Sequence, residues 1–149
     1  MAPPSFTATW HRDTYPAIDP RSRPELSMRG KTVVISGGGS GIGRALAQSF
    51  AEAGASTIAI VGRRIAPLQD TKQAIERLHS DVSVAIHVAD VANGKAIEQV
   101  ASEIGPWDVL IANAGYMSDP KPLVDSEPQD WWKAFEVGLA APPSSCDCC

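Results

Sequence analysis

The residues with the clearest chemical potential are three glycines in the segment SGGGSGIG, residues 36–43. Gly37, Gly41 and Gly43 have the spacing G-x-x-x-G-x-G, and they lie between an apolar run and an amphipathic run. The free N–H groups and the dipole of a helix N-terminus attract anions, and glycine leaves room for a phosphate to approach. The segment therefore predicts a nucleotide-binding turn, with a purely structural turn as the alternative.

Two arginines stand near the place where this kind of site usually carries an acid. In dinucleotide-binding βαβ units, an acidic side chain about 20 residues further on binds the ribose hydroxyls of adenosine. Here Gly62 occupies that place, and Arg63 and Arg64 follow it. A guanidinium pairs well with a 2′-phosphate but cannot accept a hydrogen bond from a hydroxyl. The sequence therefore favours NADP(H) over NAD(H), and a solvated basic pair at a strand end is the alternative.

Strands and helices must position these residues, and the hydrophobic pattern predicts both. Apolar, β-branched runs are typical of buried parallel strands, and they occur at Thr32–Ser36, Ser56–Gly62, Val82–Asp90 and Trp107–Gly115. Three amphipathic helices are predicted between them, with inward stripes of Ile42, Leu46, Phe50 and Ala53, of Leu68, Ile75 and Leu78, and of Ile97, Val100 and Ile104. Glycines 54 and 105 are expected to stop the first and third of these helices. Alternating strands and helices predict an α/β fold with a doubly wound parallel sheet.

Two segments without periodicity flank this region. Residues 1–29 contain five prolines and predict an extended arm, either packed on the domain or disordered; its apolar candidates are Phe6, Trp10 and Tyr15. After the fourth strand, a capping box of Ser126 and Gln129 predicts a fourth helix, which carries Trp131, Trp132 and Phe135. Residues 138–149 contain consecutive prolines and all three cysteines, and we expect an unstructured tail there.

Three motifs in order resemble the short-chain dehydrogenase/reductase family. They are VVISGGGSGIG, VAD at Val88–Asp90 and IANAG at Ile111–Gly115, and the resemblance runs from about Lys31 to Val137. It implies that residues 30–137 are the front half of a Rossmann domain, with about four strands and four helices. Such a domain binds a nicotinamide dinucleotide and serves hydride transfer between carbonyl and alcohol carbons.

The resemblance also implies roles for individual residues. Ser36–Gly43 would hold the pyrophosphate, with Gly37 and Ile42 lining the turn and Ser40 donating to phosphate. Asp90 would accept from the adenine amino group, and Val91 would lie beside the ring. Asn113 would tie the central strand, while Ala114 and Gly115 would leave room for the cofactor ribose. Ala112 departs mildly from the family, where this strand usually ends N-N-A-G.

The catalytic pattern of that family is absent from these 149 residues. It requires Y-x-x-x-K, but the two tyrosines, Tyr15 and Tyr116, are followed four residues later by Asp19 and Pro120. Gly138 stands where the family has an asparagine. We therefore predict no catalytic residue and interpret the chain as a C-terminally truncated, cofactor-binding half of an NAD(P)(H)-dependent oxidoreductase. A changed reading frame or splice boundary would account for the tail. The alternative is an inactive dinucleotide-binding module.

Composition excludes several other classes of protein. A net charge of −4 and a pI near 5.3 disfavour a nucleic-acid surface. No apolar run has the length of a membrane span, and the N-terminus does not resemble a secretory signal, so the cytoplasm is the expected compartment. Neither a disulfide framework nor a metal site is predicted, since all the cysteines lie in the last four residues. The family resemblance allows a homo-oligomer, and the substrate is not predicted.

Overall fold

The computed structural model describes residues 15–139, which form one parallel sheet and four α-helices. The strands are β1 (Thr32–Ser36), β2 (Thr57–Gly62), β3 (Ser83–Val88) and β4 (Val109–Ile111), and the helices are α1 (Gly41–Glu52), α2 (Ile65–Leu78), α3 (Gly94–Ile104) and α4 (Pro128–Leu139). The order across the sheet is β3-β2-β1-β4, with every neighbouring pair parallel. The α/β fold predicted from the alternating pattern is confirmed, although β3 and β4 are shorter than expected.

Alternating strand residues build a core on each face of the sheet. One core contains Val33 and Ile35 of β1 with Ile58 and Ile60 of β2, all fully buried, and the buried residues of α1 and α2 pack against them. The other contains Val34, Ala59 and Val61, and α3 covers it with Val100, Ile97 and Ile104. Full burial of a Val or Ile side chain contributes about 1.5–3 kcal/mol. The sheet is therefore wound on both faces, and the predicted stripe of α3 is confirmed.

Two of the predicted inward residues point to solvent instead. Ile42 is 74% exposed and Leu78 is 71% exposed. Ile42 lies in the first turn of α1 and Leu78 is the last residue of α2, and at these helix ends neither side chain is buried in the core. In α2 the buried set is Leu68, Thr71 and Ile75, so Leu68 and Ile75 are buried as predicted and a threonine that the pattern did not include is buried with them.

The predicted helix stops are confirmed, but one predicted start is wrong. Helices α1 and α3 end just before Gly54 and Gly105. The capping box predicted at α4 is not observed, because α4 begins only at Pro128 and Glu127, not Ser126, directly precedes it; the Ser126 hydroxyl donates to the Pro122 carbonyl at 3.1 Å. Helix α4 then continues to Leu139, past the boundary at Val137 that the motifs indicated.

The segment before β1 joins the domain at the end of α1. It contains two short 3₁₀ helices, Pro16–Ile18 and Pro24–Leu26, where the sequence showed no helical period. The Met28 N–H donates to the Ala53 carbonyl at 2.8 Å, and Arg29 forms an isolated antiparallel bridge with Ala55. The predicted contacts of Phe6 and Trp10 lie outside the described residues, as does most of the predicted tail.

The opposite end of the described region leaves aromatic surface exposed. Trp131, Trp132 and Phe135 of α4 contact one another and remain 44%, 56% and 38% exposed. Strand β4 lies at one edge of the sheet. Among residues 15–139, no helix is both long and apolar enough to span a bilayer.

Candidate functional site

A cleft of about 440 Å³ opens where the four strands end. Its walls are the loop after β1, the turn after β2, the residues after β3 and the segment after β4. In parallel α/β sheets, ligands bind in the crevice outside the carboxyl ends of the strands. Most of the predicted site residues line this cleft: Gly37, Ser40, Ile42, Gly43, Arg63, Arg64, Asp90, Val91, Asn113, Ala114 and Gly115.

The glycines of the loop after β1 are required for different reasons. A Cβ at Gly43 would lie 2.2 Å from the Gly37 carbonyl oxygen and 2.6 Å from Asn113 Nδ2, so no side chain fits there. At Gly41 a Cβ would meet no atom within 4 Å, and the requirement is instead a φ of +52°. Gly41 does not line the cleft. The expected steric role therefore fits Gly43, where helix and loop are in contact, while Gly41 serves the turn.

The N-terminus of α1 offers free hydrogen-bond donors to the cleft. Ser40 is the N-cap residue, and its side chain accepts no hydrogen bond from the first turn. Ser40, Ile42 and Gly43 all border the cleft. First-turn N–H groups without a protein acceptor carry the positive end of the helix dipole. This end of the cleft therefore suits an anion such as a phosphate, and the exposed Ile42 side chain lies at its edge.

Ser36 lies behind the cleft and holds one of its walls. Its side-chain oxygen accepts the N–H groups of Asn113 at 3.0 Å and Ala114 at 2.9 Å. The side-chain amide of Asn113 donates back to the Ser36 carbonyl at 3.0 Å. Ser36 is only 8% exposed and does not line the cleft. These bonds join the segment after β4 to the end of β1, so Asn113 makes the tie that the resemblance implied.

The opposite wall carries two positive charges. Arg63 and Arg64 follow β2, are exposed and border the cleft. Within the described part of the chain, neither guanidinium has a carboxylate at ion-pair distance. Asp90 borders the cleft after β3, where its Oδ1 accepts the Ala92 N–H at 3.0 Å. The cleft therefore presents two cations that are available to an anionic ligand.

Several lining residues were not predicted from the sequence. They are Gly62, Pro67, Leu68, Ala89 and Val137. Gly39 also lines the cleft, and it belongs to the segment Ser36–Gly43 that the resemblance assigned to the pyrophosphate. Pro67 and Leu68 follow the arginine pair, so proximity in sequence to the predicted residues could have indicated them. Val137 carries no such signal, because its place depends on how α4 returns to the cleft.

The hydroxyl of Tyr116, in the segment after β4, is held by a carboxylate. Its hydroxyl donates to Asp130 Oδ1, and this hydrogen bond, with burial and the negative charges of Asp130 and Asp119, raises the pKa of Tyr116 above its ordinary value. Lys133 Nζ lies 4.9 Å from the centre of the tyrosine ring, over its face. The hydroxyl is thus kept protonated and bound to a carboxylate.

Comparisons with known proteins agree with this geometry. The family model of the short chain dehydrogenases matches residues 31–147, so the match continues beyond Val137, where the motifs placed its end. The short chain dehydrogenase tazN of Aspergillus terreus is 38% identical over 140 residues, and a short chain dehydrogenase of Pseudocercospora fijiensis is 42% identical over 135. These alignments cover 91% and 87% of this chain. They cover only 30% and 42% of the two relatives, so the chain spans less than half of their length.

A solved structure shows the same arrangement of elements. L-sorbose reductase from Gluconobacter frateurii, determined in complex with NADPH and L-sorbose, superposes with a TM-score of 0.66 at 30% identity. The superposition covers 75% of this chain and 43% of the reductase. The glycine loop and the cleft at the carboxyl ends of the β3-β2-β1-β4 sheet agree with the family match and with these relatives. Together they establish that the chain belongs to the short chain dehydrogenase family.

Proposed function

We propose that this chain is the NADP(H)-binding half of an oxidoreductase that transfers hydride between carbonyl and alcohol carbons. The observation that carries the proposal is one cleft with two anion-attracting walls. The free N–H groups of the first turn of α1 form one wall, and Arg63 and Arg64 stand on the other. A dinucleotide with a pyrophosphate and a 2′-phosphate has anionic groups for both. The NADPH in the similar L-sorbose reductase supports this choice of cofactor.

Each wall has a distinct role toward the cofactor. The loop from Gly37 to Gly43 takes the pyrophosphate, with Ser40 as a donor, and Arg63 and Arg64 pair with the 2′-phosphate. Asp90 and Val91 border the end of the cleft near β3, where the adenine ring would lie. Asn113 keeps Ala114 and Gly115 in place through its bonds to Ser36, which leaves a smooth wall for the ribose.

The chain contributes binding rather than acid–base chemistry in this proposal. The bound nicotinamide would supply the hydride chemistry. No Y-x-x-x-K occurs in the sequence, and the Tyr116 hydroxyl is bound to Asp130 with a raised pKa. We therefore propose that the purified chain binds the cofactor but oxidises NADPH no faster than buffer when it is offered aldehydes and ketones.

The test of the binding site is the substitution Gly43→Ala. A methyl group there would meet the Gly37 carbonyl oxygen, so α1 and the loop must move apart. We expect NADPH binding, measured by isothermal titration calorimetry, to weaken by about tenfold or more, since one displaced donor pair costs upward of 1.4 kcal/mol.

The matched control is Gly94→Ala, at the start of α3, where a Cβ would meet nothing within 4 Å. This variant should bind NADPH like the parent chain, and circular dichroism should show that both variants are folded. Unchanged NADPH affinity in folded Gly43→Ala would refute the proposed binding site, and turnover by the parent chain would refute the binding-only role.

A further inference from the structure

A buried threonine connects the two walls of the cleft. Thr71 lies in α2 and is 0% exposed. Arg44, in the first turn of α1, donates from Nε to the Thr71 hydroxyl at 2.9 Å. The same hydroxyl lies 3.3 Å from the carbonyl oxygen of Gly39 in the glycine loop and 3.0 Å from that of Pro67. One side chain thus contacts the loop, α1 and the start of α2.

The hydroxyl accounts for all of these contacts. A threonine oxygen accepts from Arg44 and has one proton, which it shares between the Pro67 and Gly39 carbonyls. Within residues 15–139, Arg44 has no carboxylate at ion-pair distance, so Thr71 is the only described hydrogen-bond partner of its side chain. Loss of the hydroxyl would remove this partner from the part-buried Arg44 guanidinium and from the carbonyl of Gly39, whose contact with Thr71 is buried.

The glycine loop also packs directly on the first turn of α2 beside this threonine. A Cβ at Gly39 would lie 3.2 Å from Pro67 Cβ and 3.3 Å from Leu68 Cδ2, so the loop and α2 are in van der Waals contact. Helix α2 begins at Ile65, directly after Arg64. The distance between the loop and the arginine pair is therefore set at this contact.

We propose that Thr71 is a positioning residue for the cofactor: it fixes the glycine loop against α2 and so sets the separation between the pyrophosphate donors and Arg63–Arg64. This inference rests on the proposed function of the cleft. A ligand that binds both walls at once depends on their separation, whereas a ligand that lacks the 2′-phosphate makes no ion pair with the arginine wall and depends less on it. Thr71 therefore acts on the choice between NADPH and NADH without touching either.

The test compares Thr71→Val, which removes the hydroxyl, with Thr71→Ser, which keeps it. Calorimetric titration of each full chain with NADPH and with NADH gives the ratio of the two dissociation constants. We expect Thr71→Val to weaken NADPH binding about tenfold and NADH binding about threefold, in line with the loss of a part-buried, charge-assisted hydrogen bond. Thr71→Ser should restore the parent ratio. Thr57→Val, at the start of β2 and so at the end of the sheet opposite the cleft, is the matched control.

A second measurement does not require the cofactor to bind. Amide hydrogen exchange of residues 37–43 in the free chain should be faster in Thr71→Val than in the parent, Thr71→Ser and Thr57→Val chains. If Thr71→Val lowers only the melting temperature, with exchange and the NADPH-to-NADH ratio unchanged, the positioning role is overturned. If the parent chain binds neither dinucleotide, the proposed function fails, and the exchange of residues 37–43 alone decides whether Thr71 fixes the loop.

Discussion

Individual polar atoms determine the shape of the cleft, and the Ser36 hydroxyl is the clearest case. It accepts two backbone N–H groups from the segment after β4, while the Asn113 amide donates to the Ser36 carbonyl. The glycine motif indicated this region from sequence, but not the direction of the Ser36 side chain. The helical spacing of Ile42 placed it in the core and the resemblance placed it in the turn, and the side chain lies exposed at the cleft. Spacing alone does not say whether the core extends beneath a helix end.

Ser36→Ala is expected to lower stability. The change leaves the Ala114 N–H without its acceptor in a partly buried place, which costs about 1–3 kcal/mol of unfolding free energy. Urea unfolding followed by circular dichroism measures this loss. Ser49→Ala, on the exposed side of α1, is the control and should change the unfolding free energy by less than about 0.5 kcal/mol. Equal effects of the two substitutions would show that the Ser36 bonds are unimportant.

Whole elements are joined to the sheet by charged side chains at its edges. Lys72 of α2 donates to the Val84 carbonyl of β3 at 2.7 Å, beside Glu76. At the other edge, Lys31 pairs with Asp108 at 2.7 Å, and Asp108 also accepts the Thr32 N–H at 2.8 Å. The strands themselves were predictable from their β-branched runs. The tie between Lys31 and Asp108 was not, because residues 77 positions apart in the chain give no local signal.

Asp108→Asn should lower the melting temperature of the chain at pH 7. The hydrogen bond from Lys31, with that from the Thr32 N–H, holds the pKa of Asp108 below its ordinary value. A lowered carboxyl pKa stabilises the fold above the unfolded value, about 3.9, and this contribution is lost as the pH falls through the folded value.

Melting curves from pH 7 down to pH 2 measure this effect. The difference between the parent and Asp108→Asn chains should narrow below about pH 4, as the parent carboxyl becomes protonated. Asp81→Asn, at an exposed position before β3, serves as the control and should leave the melting temperature at pH 7 close to that of the parent chain. A difference that stays constant over the whole range would contradict a stabilising Asp108 carboxylate.

At the scale of the whole molecule, the order of the strands determines where a ligand binds. The order β3-β2-β1-β4 brings the loop after β1, the arginines after β2, Asp90 after β3 and Asn113 after β4 to one end of the sheet. The alternating pattern was enough to predict this fold, because parallel strands need crossover helices. Helix α4 brings Val137 to the cleft and leaves Trp131 and Trp132 exposed. Its course depends on tertiary packing that no local sequence pattern encodes.

The measurement that tests this account most directly is calorimetric titration of the purified chain with NADPH and with NADH. It is made before and after both Arg63 and Arg64 are replaced by Ala. We expect NADPH to bind about tenfold more tightly or better in the parent chain, because the guanidinium groups pair with the 2′-phosphate. The double variant should bind the two cofactors equally, and Arg77→Ala, at the far end of α2, should behave like the parent. Equal affinities in the parent chain, or an equal loss for both cofactors in the double variant, would contradict selection of NADP(H) by this cleft.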